Sequence, residues 1–369
     1  MRQVLKGLFF IVPLLAAGMA LAQPALDFSV KHPGPDPLKG LPAGSKVISA
    51  FGERAAFSPD GRKVAFIGDY DAFEYDIATG TVRNLTAHLP HKTLLRIQYL
   101  ADGNYLLTGF IRLSRFRSPT KEQWTHTRET GTELLFLSKQ AGAPLVRLGV
   151  NLYEGFAQSR KTNKIAWSEV SPPTSRLELK PDSNVTSTMY TANVVVHGMS
   201  ATLENRRAVG TVDVSHDCTW EAQDFLNNDT VIDGPCYMTN PAFLRREKGA
   251  PYLAGEKIVS VDTKTSKVTT WYTKSDMYAE VEGLYPDERY TMVECGPTLG
   301  GPLDLCRFDF TKGPEQTMVR LTFGQDYGPY KFSNPVVSGD GKWAAFMMST
   351  NGDEAGEGYG IVLMPLSAP

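Results

Sequence analysis

The residues best able to do chemistry in this chain are carboxylates and histidines that recur at one level of a repeated strand pattern. Just ahead of six turn phrases stand Glu53 and Arg54, Arg96, Tyr153 and Glu154, Glu221 and Gln223, Glu280 and Glu282, and Ser333 with Asn334. The segments leading into those positions add His88 and His91 in AHLPHKT, His216 and Asp217 in SHDC, Asp276 and Tyr278, then Asp326, Tyr327 and Tyr330. Carboxylates gathered in a partly enclosed mouth raise one another's pKa or require a cation, which is the chemistry of an acid/base or metal site. Histidine beside carboxylate suits a divalent ion. His88, His91 and His216 are therefore the candidate metal ligands, with a divalent metal ion as the candidate cofactor. Glu53, Arg96, Tyr153, Glu154, Glu221, Glu280 and Glu282 are the candidate ligand-binding residues, and no residue stands out as catalytic. The competing reading is structural: Glu53 with Arg54, or Arg96, would neutralise Glu154 or Glu221 in a water-lined channel. The HLPH spacing is not that of a helical metal motif, so the histidines alone carry little.

The elements that must position these residues are internal repeats. AAFSPDGRKVAF from Ala55 and NPVVSGDGKWAAF from Asn334 each place an apolar strand end, an Asp-Gly turn and a resumed alternating strand, which is hairpin chemistry. IQYLADGNYLLTGF, GFAQSRKTNKIAW, QDFLNNDTVIDG and VEGLYPDERYTMVE are weaker copies, giving six. Most copies go on to a third strand and a fourth ending in words such as TVRNLT, PLVRLG, KVTTWY and MVRLTF. Four strands per repeat make one blade, so the spacing predicts an all-β, single closed β-propeller of six four-stranded blades. The last copy ends after its third strand, YGIVLMPL, while an orphan strand, SKVISAFG, precedes the first. Residues 46–50 are expected to complete the last blade and remove an open edge.

The FSPDG-type turn and the RLT-type strand resemble the WD-like repeats of the TolB β-propeller family from about Ser45 onward. FSNPVVSGDGKWAAF followed by GDEAGEGYGI looks like the closing blade of exported bacterial members. TolB also has a separate N-terminal α/β domain, whereas only a Pro/Gly-rich leader over 23–44 precedes the repeats here, so TolB's role in an envelope complex does not carry over. Oligogalacturonate lyases also use WD-like blades and a histidine-held metal, and His88, His91 and His216 do not match a complete ligand set of theirs.

Arg2 and Lys6, an apolar run from Leu8 to Leu21 and the small residues before Gln23 have the order of a signal peptide over 1–22. The mature chain, 45–369 of it propeller, is expected to be secreted or periplasmic, with no transmembrane segment after cleavage. Lys plus Arg (38) nearly balances Asp plus Glu (40), which gives no electrostatic case for nucleic acid as a partner. Four cysteines in an exported chain predict disulfides. Local spacing favours Cys218 with Cys236 and Cys295 with Cys306. Two insertions enlarge the blades, a basic one over 111–131, read as a solvated charged loop, and a Pro/Ser/Thr-rich one over 169–188. No GxSxG, P-loop, HExxH or dinucleotide pattern occurs in a matching context. Two functions remain: a binding module holding a small polar or cationic ligand, a metal ion or a protein partner at the channel mouth, and a metal-assisted carbohydrate-active enzyme similar to oligogalacturonate lyase.

Overall fold

Each repeat becomes one antiparallel sheet, and the six sheets are the blades of a closed propeller. The computed structural model describes residues 26–366 except 33, 35, 90–92, 111–120, 251–252, 275–276, 298–300, 314–315, 317 and 351–357. Residues 1–22, expected to be a signal peptide, His91, Asp276, the arginines at 112, 115 and 117, and most of the glycine-rich run from Asn351 lie outside those residues.

In chain order the innermost strands are Glu53–Phe57, Thr93–Tyr99, Phe156–Gln158, Cys218–Trp220 with Asp224–Leu226, Tyr278–Leu284 and Tyr330–Val337. The fourth blade departs from four strands because its inner strand is broken in two, both pieces pairing with Val231–Thr239. The orphan strand Lys46–Ser49 pairs antiparallel with Gly358–Pro365, Lys46 opposite Leu363, so the chain's first strand closes its last blade as expected. That closure leaves no blade short of a partner, which removes a template for edge pairing.

The turn phrase explains why the hairpins recur. Asp60 accepts from the Ser58 hydroxyl at 2.6 Å and the Arg62 amide at 3.1 Å, and Gly61 adopts φ +68°, where a Cβ would be strained. The last blade repeats it with Ser338, Asp340, Lys342 and Gly341 at φ +72°. Second strands such as Lys63–Gly68 are buried over almost their whole length because neighbouring blades pack on both faces. Phe136 on the second blade and Phe156 with Trp167 on the third are fully buried in one such cluster, and each phenylalanine contributes about 1.5–3 kcal/mol by leaving water. Both expected disulfides form, Cys218–Cys236 and Cys295–Cys306, each joining neighbouring strands of one blade.

The leader is not a loose spacer. The amides of Lys31 and His32 donate to the Asp326 carbonyl, Arg320 donates to the Asp27 carbonyl, and Leu26 and Phe28 pack against the fifth blade.

Candidate functional site

The innermost strands share an irregularity at one level. In the first blade Glu53 pairs with Ile67 and Ala56 with Ala65, so Arg54 and Ala55 face a single residue. The pairing slips likewise between Leu94 and Arg96, between Val281 and Gly283, and between Ser333 and Val336. In the third blade the Tyr153 amide bonds to Ser168 and Phe156 pairs with Trp167, leaving Glu154 and Gly155 outside the ladder. In the fourth the strand breaks at 221–223. A β-bulge bends its strand and re-aims a side chain. Arg54, Glu154 and Asn334 adopt φ of +54°, +57° and +48°, conformations a non-glycine residue holds only where surroundings impose them.

Five residues at this level, Arg54, Arg96, Gln223, Glu282 and Asn334, line an axial cavity of about 400 Å³. From there the inner strands run outward, so Ala56, Ile97, Gln98, Gln158, Phe225, Leu284 and Val336 form the wall. The turns after the strands form the rim, with Pro59, Arg160, Lys161 and Gly339 exposed. The cavity therefore opens where the inner strands end. Arg96, Gln98 and Gln158 each keep one buried side-chain atom without a hydrogen-bond partner, an uncommon condition that invites a water or a ligand group.

Behind the floor lies a network of buried acids. Arg96 donates to Glu221 at 3.0 Å, and the Tyr237 hydroxyl stands 2.6 Å from the other Glu221 oxygen while also contacting Glu280. A phenol has one proton, so both contacts are satisfied only when one of these carboxyls is protonated and donates to Tyr237. Glu221 fits that role: burial pushes it up to about 7, against the pull of Arg96. Glu280 also accepts from the Tyr278 hydroxyl and pairs directly across the strand from Glu294, which burial and Glu280 push up to about 8. Burial, with Glu280 and Glu294 beside it, also pushes Glu282 well above the usual carboxylate range. The amides of Gln223 and Asn334 oppose that by donating to its two oxygens. Glu256, 1% exposed, keeps one oxygen unpartnered and is likewise pushed well up by burial and Glu280. Oxygens of Glu280, Glu282 and Glu294 lie within 4.8 Å of one another, close enough to share a cation.

The opposite end is covered. The basic insertion forms the helix Lys121–Gly131, and Arg128 pairs with Glu154, so this part of it is not a solvated loop. Glu129 from the same helix accepts from the hydroxyl of Ser175 and the amide of Arg176 in the second insertion. The two insertions thus meet over Glu154, which Arg128, Arg176, Arg54 and Arg96 hold down at about 2 against its burial.

Of the sequence-predicted residues, Arg96 and Glu282 line the cavity, while Glu221 and Glu280 stand behind its floor. Glu154 lies under the helix, Tyr153 packs against Tyr237, and Glu53 stands 3.9 Å from Arg54. His88 bonds through Nε2 to the Ala143 carbonyl, and His216 is exposed and paired with Asp213 at 3.1 Å. Neither belongs to a group of described residues whose ligand atoms converge. The one other such group, Asp217 with Cys218 and Cys236, has its two sulfurs in a disulfide. Sequence reasoning missed Glu256, Glu294 and Tyr237, which sit on second and third strands, and Arg160 with Lys161, which lie within the turn of the third copy. The signal for Glu294 was its register opposite Glu280, legible only once the pairing is known.

No family model matches the chain, and no curated protein matches it. Among solved structures, a calcium-binding protein, regucalcin, from Agrobacterium tumefaciens gives TM-score 0.51 at 12% identity, covering 89% of this chain and 96% of its own. Oligogalacturonate lyase in complex with manganese gives 0.48 at 13%, covering 86% and 78%. TolB from Acinetobacter baumannii gives 0.46 at 11% over 89% of this chain, which spans only 66% of TolB's length. The likeness is one of fold alone, and the protein is a β-propeller. Among the described residues no helix is long and apolar enough to cross a membrane.

Proposed function

We propose that this chain is an exported propeller that binds a small polar ligand in its axial cavity, through the opening where the inner strands end. The observation that supports this reading is the cavity itself: about 400 Å³, with Arg54, Arg96, Gln223, Glu282 and Asn334 at its floor and, above them, a wall in which Ala56, Ile97, Phe225, Leu284 and Val336 alternate with Gln98, Gln158 and Asp224. Concave, largely apolar pockets with a few convergent polar groups are the usual form of small-molecule sites. Two disulfides suit an oxidising compartment. Gly339 offers a clean test, because a Cβ there meets only the Pro59 carbonyl oxygen, at 3.9 Å, and the residue is on the rim. Gly339→Trp should keep the fold and obstruct the mouth. A panel of small polar compounds screened by thermal shift should yield at least one that stabilises the native protein and not this variant. Equal stabilisation of both by every active compound would refute the cavity as the site.

A second reading rests on the convergence of Glu280, Glu282 and Glu294: a divalent ion held by these carboxylates, with the histidines taking no part. Oxygen-only ligation suits calcium, magnesium or manganese. Metal analysis of purified protein, repeated on Glu294→Gln, decides it; a stoichiometric ion that persists in the variant would count against this site.

A further inference from the structure

Resting on the cavity reading, we propose that the ligand is a small polyhydroxylated oxyanion, with its carboxylate or phosphate at the floor on Arg54 and Arg96 and its hydroxyls on the wall at Gln98 and Gln158. The floor decides the charge. Arg96 lines the cavity, is 5% exposed, and spends one terminal nitrogen on Glu221 at 3.0 Å, while its Nε keeps no hydrogen-bond partner. Gly155 lies against the same guanidinium, and a Cβ there would overlap Nη1, so the glycine makes room for it. Arg54 comes in from the first blade at φ +54°, and its ion pair with Glu53 is long, at 3.9 Å. Against these two cations stands one carboxylate at the floor, Glu282, whose oxygens accept from the side-chain amides of Gln223 and Asn334 and which burial pushes toward its neutral form. An oxyanion is the group that answers a buried guanidinium N–H left unpaired.

The wall decides the rest of the molecule. Gln98, two residues beyond Arg96 on the same inner strand, and Gln158 on the third blade each keep a buried side-chain oxygen without a partner. A buried acceptor is costly to leave unmade, and a hydrocarbon cannot answer it. A hydroxyl can. Because it donates and accepts at once, it also complements the NH2 of the same amide.

The other acids around the cavity do not call for a cation. Asp224, on the fourth blade, accepts from the Leu284 amide, stands directly across the strand from Asp233, and has Arg160 beside it. At the rim Asp229 accepts from the hydroxyls of Ser159 and Thr162, and Glu288 from the Asn227 amide, with Lys161 at 3.8 Å. Each already has donors of its own.

The test is calorimetric titration of the native protein with ribonate, ribitol 5-phosphate, ribitol and pentanoate, repeated on Arg54→Gln, Gln98→Leu and Gly339→Trp after thermal melts confirm folding. At least one of the two hydroxylated anions should bind about tenfold or more tighter than ribitol, which lacks the anion, and pentanoate, which lacks the hydroxyls. The tighter of the two tells carboxylate from phosphate. Arg54→Gln should weaken that anion about tenfold or more and leave ribitol unchanged. Gln98→Leu should weaken it too, while leaving pentanoate unchanged and the melting temperature no lower, since it removes an oxygen that has no partner within the protein. Ribitol or pentanoate binding as tightly as the anions, failure of both anions to bind, or indifference to either substitution overturns the proposal. Where a variant does not fold, the comparison of the four compounds on the native protein still decides. Should both hydroxylated anions fail while another polar compound binds in a manner Gly339→Trp abolishes, the oxyanion is wrong and the cavity reading stands. Binding that ignores Gly339→Trp removes the cavity reading and this inference with it.

Discussion

The two ends of the axial channel are made from the same six inner strands and have been put to different uses. Where the strands begin, side chains are drawn together: Arg128 and Arg176 come down on Glu154, and Tyr237 ties Glu221 to Glu280. Where they end, short turns diverge and leave the cavity open between Pro59, Lys161 and Gly339. Buried charge is tolerated only when paired or neutralised. The covered end does both, by ion pairs at Glu154 and by retained protons at Glu221 and Glu294. The open end pairs its charges more loosely, Lys161 standing 3.8 Å from Glu288 and Arg160 donating to the carbonyl of Leu284, whose amide donates to Asp224. The difference teaches that acidity in the sequence marks the floor of a site more than its mouth.

That contrast can be broken most directly at Arg96. Arg96→Met should destabilise the protein by about 3–5 kcal/mol at pH 8, since it breaks a buried pair and leaves Glu221 to take up a proton or stay charged without its partner. At pH 5 Glu221 carries a proton, so the cost should shrink. Denaturant melts at the two pH values measure it, and an equal loss at both would mean that the pair is not what holds Glu221.

A somewhat smaller effect belongs to pH itself. Glu221 and Glu294 are raised to about 7 and about 8 from an ordinary 4.5. A raised acid adds stability that is whole below the unfolded value and lost as pH rises through the folded one. Glu154, held at about 2, works in reverse: its contribution is whole above 4.5 and lost as pH falls toward 2. Unfolding free energy should therefore be greatest near pH 5 and fall by about 2–4 kcal/mol by pH 8. Glu294→Gln should flatten that decline. A profile that instead rises from pH 5 to 8 would show these carboxyls ionised in the native state.

The smallest expected change is at His216, whose side chain is 73% exposed. His216→Ala should shift stability by no more than about 0.5 kcal/mol and leave any metal content unchanged. Loss of a bound ion in this variant would restore the histidine as a ligand and reopen the carbohydrate-active alternative.

Much of this protein was written locally. Asp-Gly turns with a preceding serine, alternating strands and an unfinished last repeat determined six blades, their order and the closure by Lys46–Ser49, because hairpin chemistry acts over a few residues. The two disulfides were legible for the same reason. The sequence also marked Arg96, Glu221, Glu280 and Glu282 as lying at one level, since equivalent positions of a repeat share a height. Only the tertiary structure decided what surrounds them. Which end is open depends on where the two insertions settle, and Arg128 is separated from Glu154 by 26 residues. Arg96 and Glu221 are 125 apart. Charge pairing at such separations is set by the ring's curvature and the bulges that turn side chains inward, neither of which a local pattern contains.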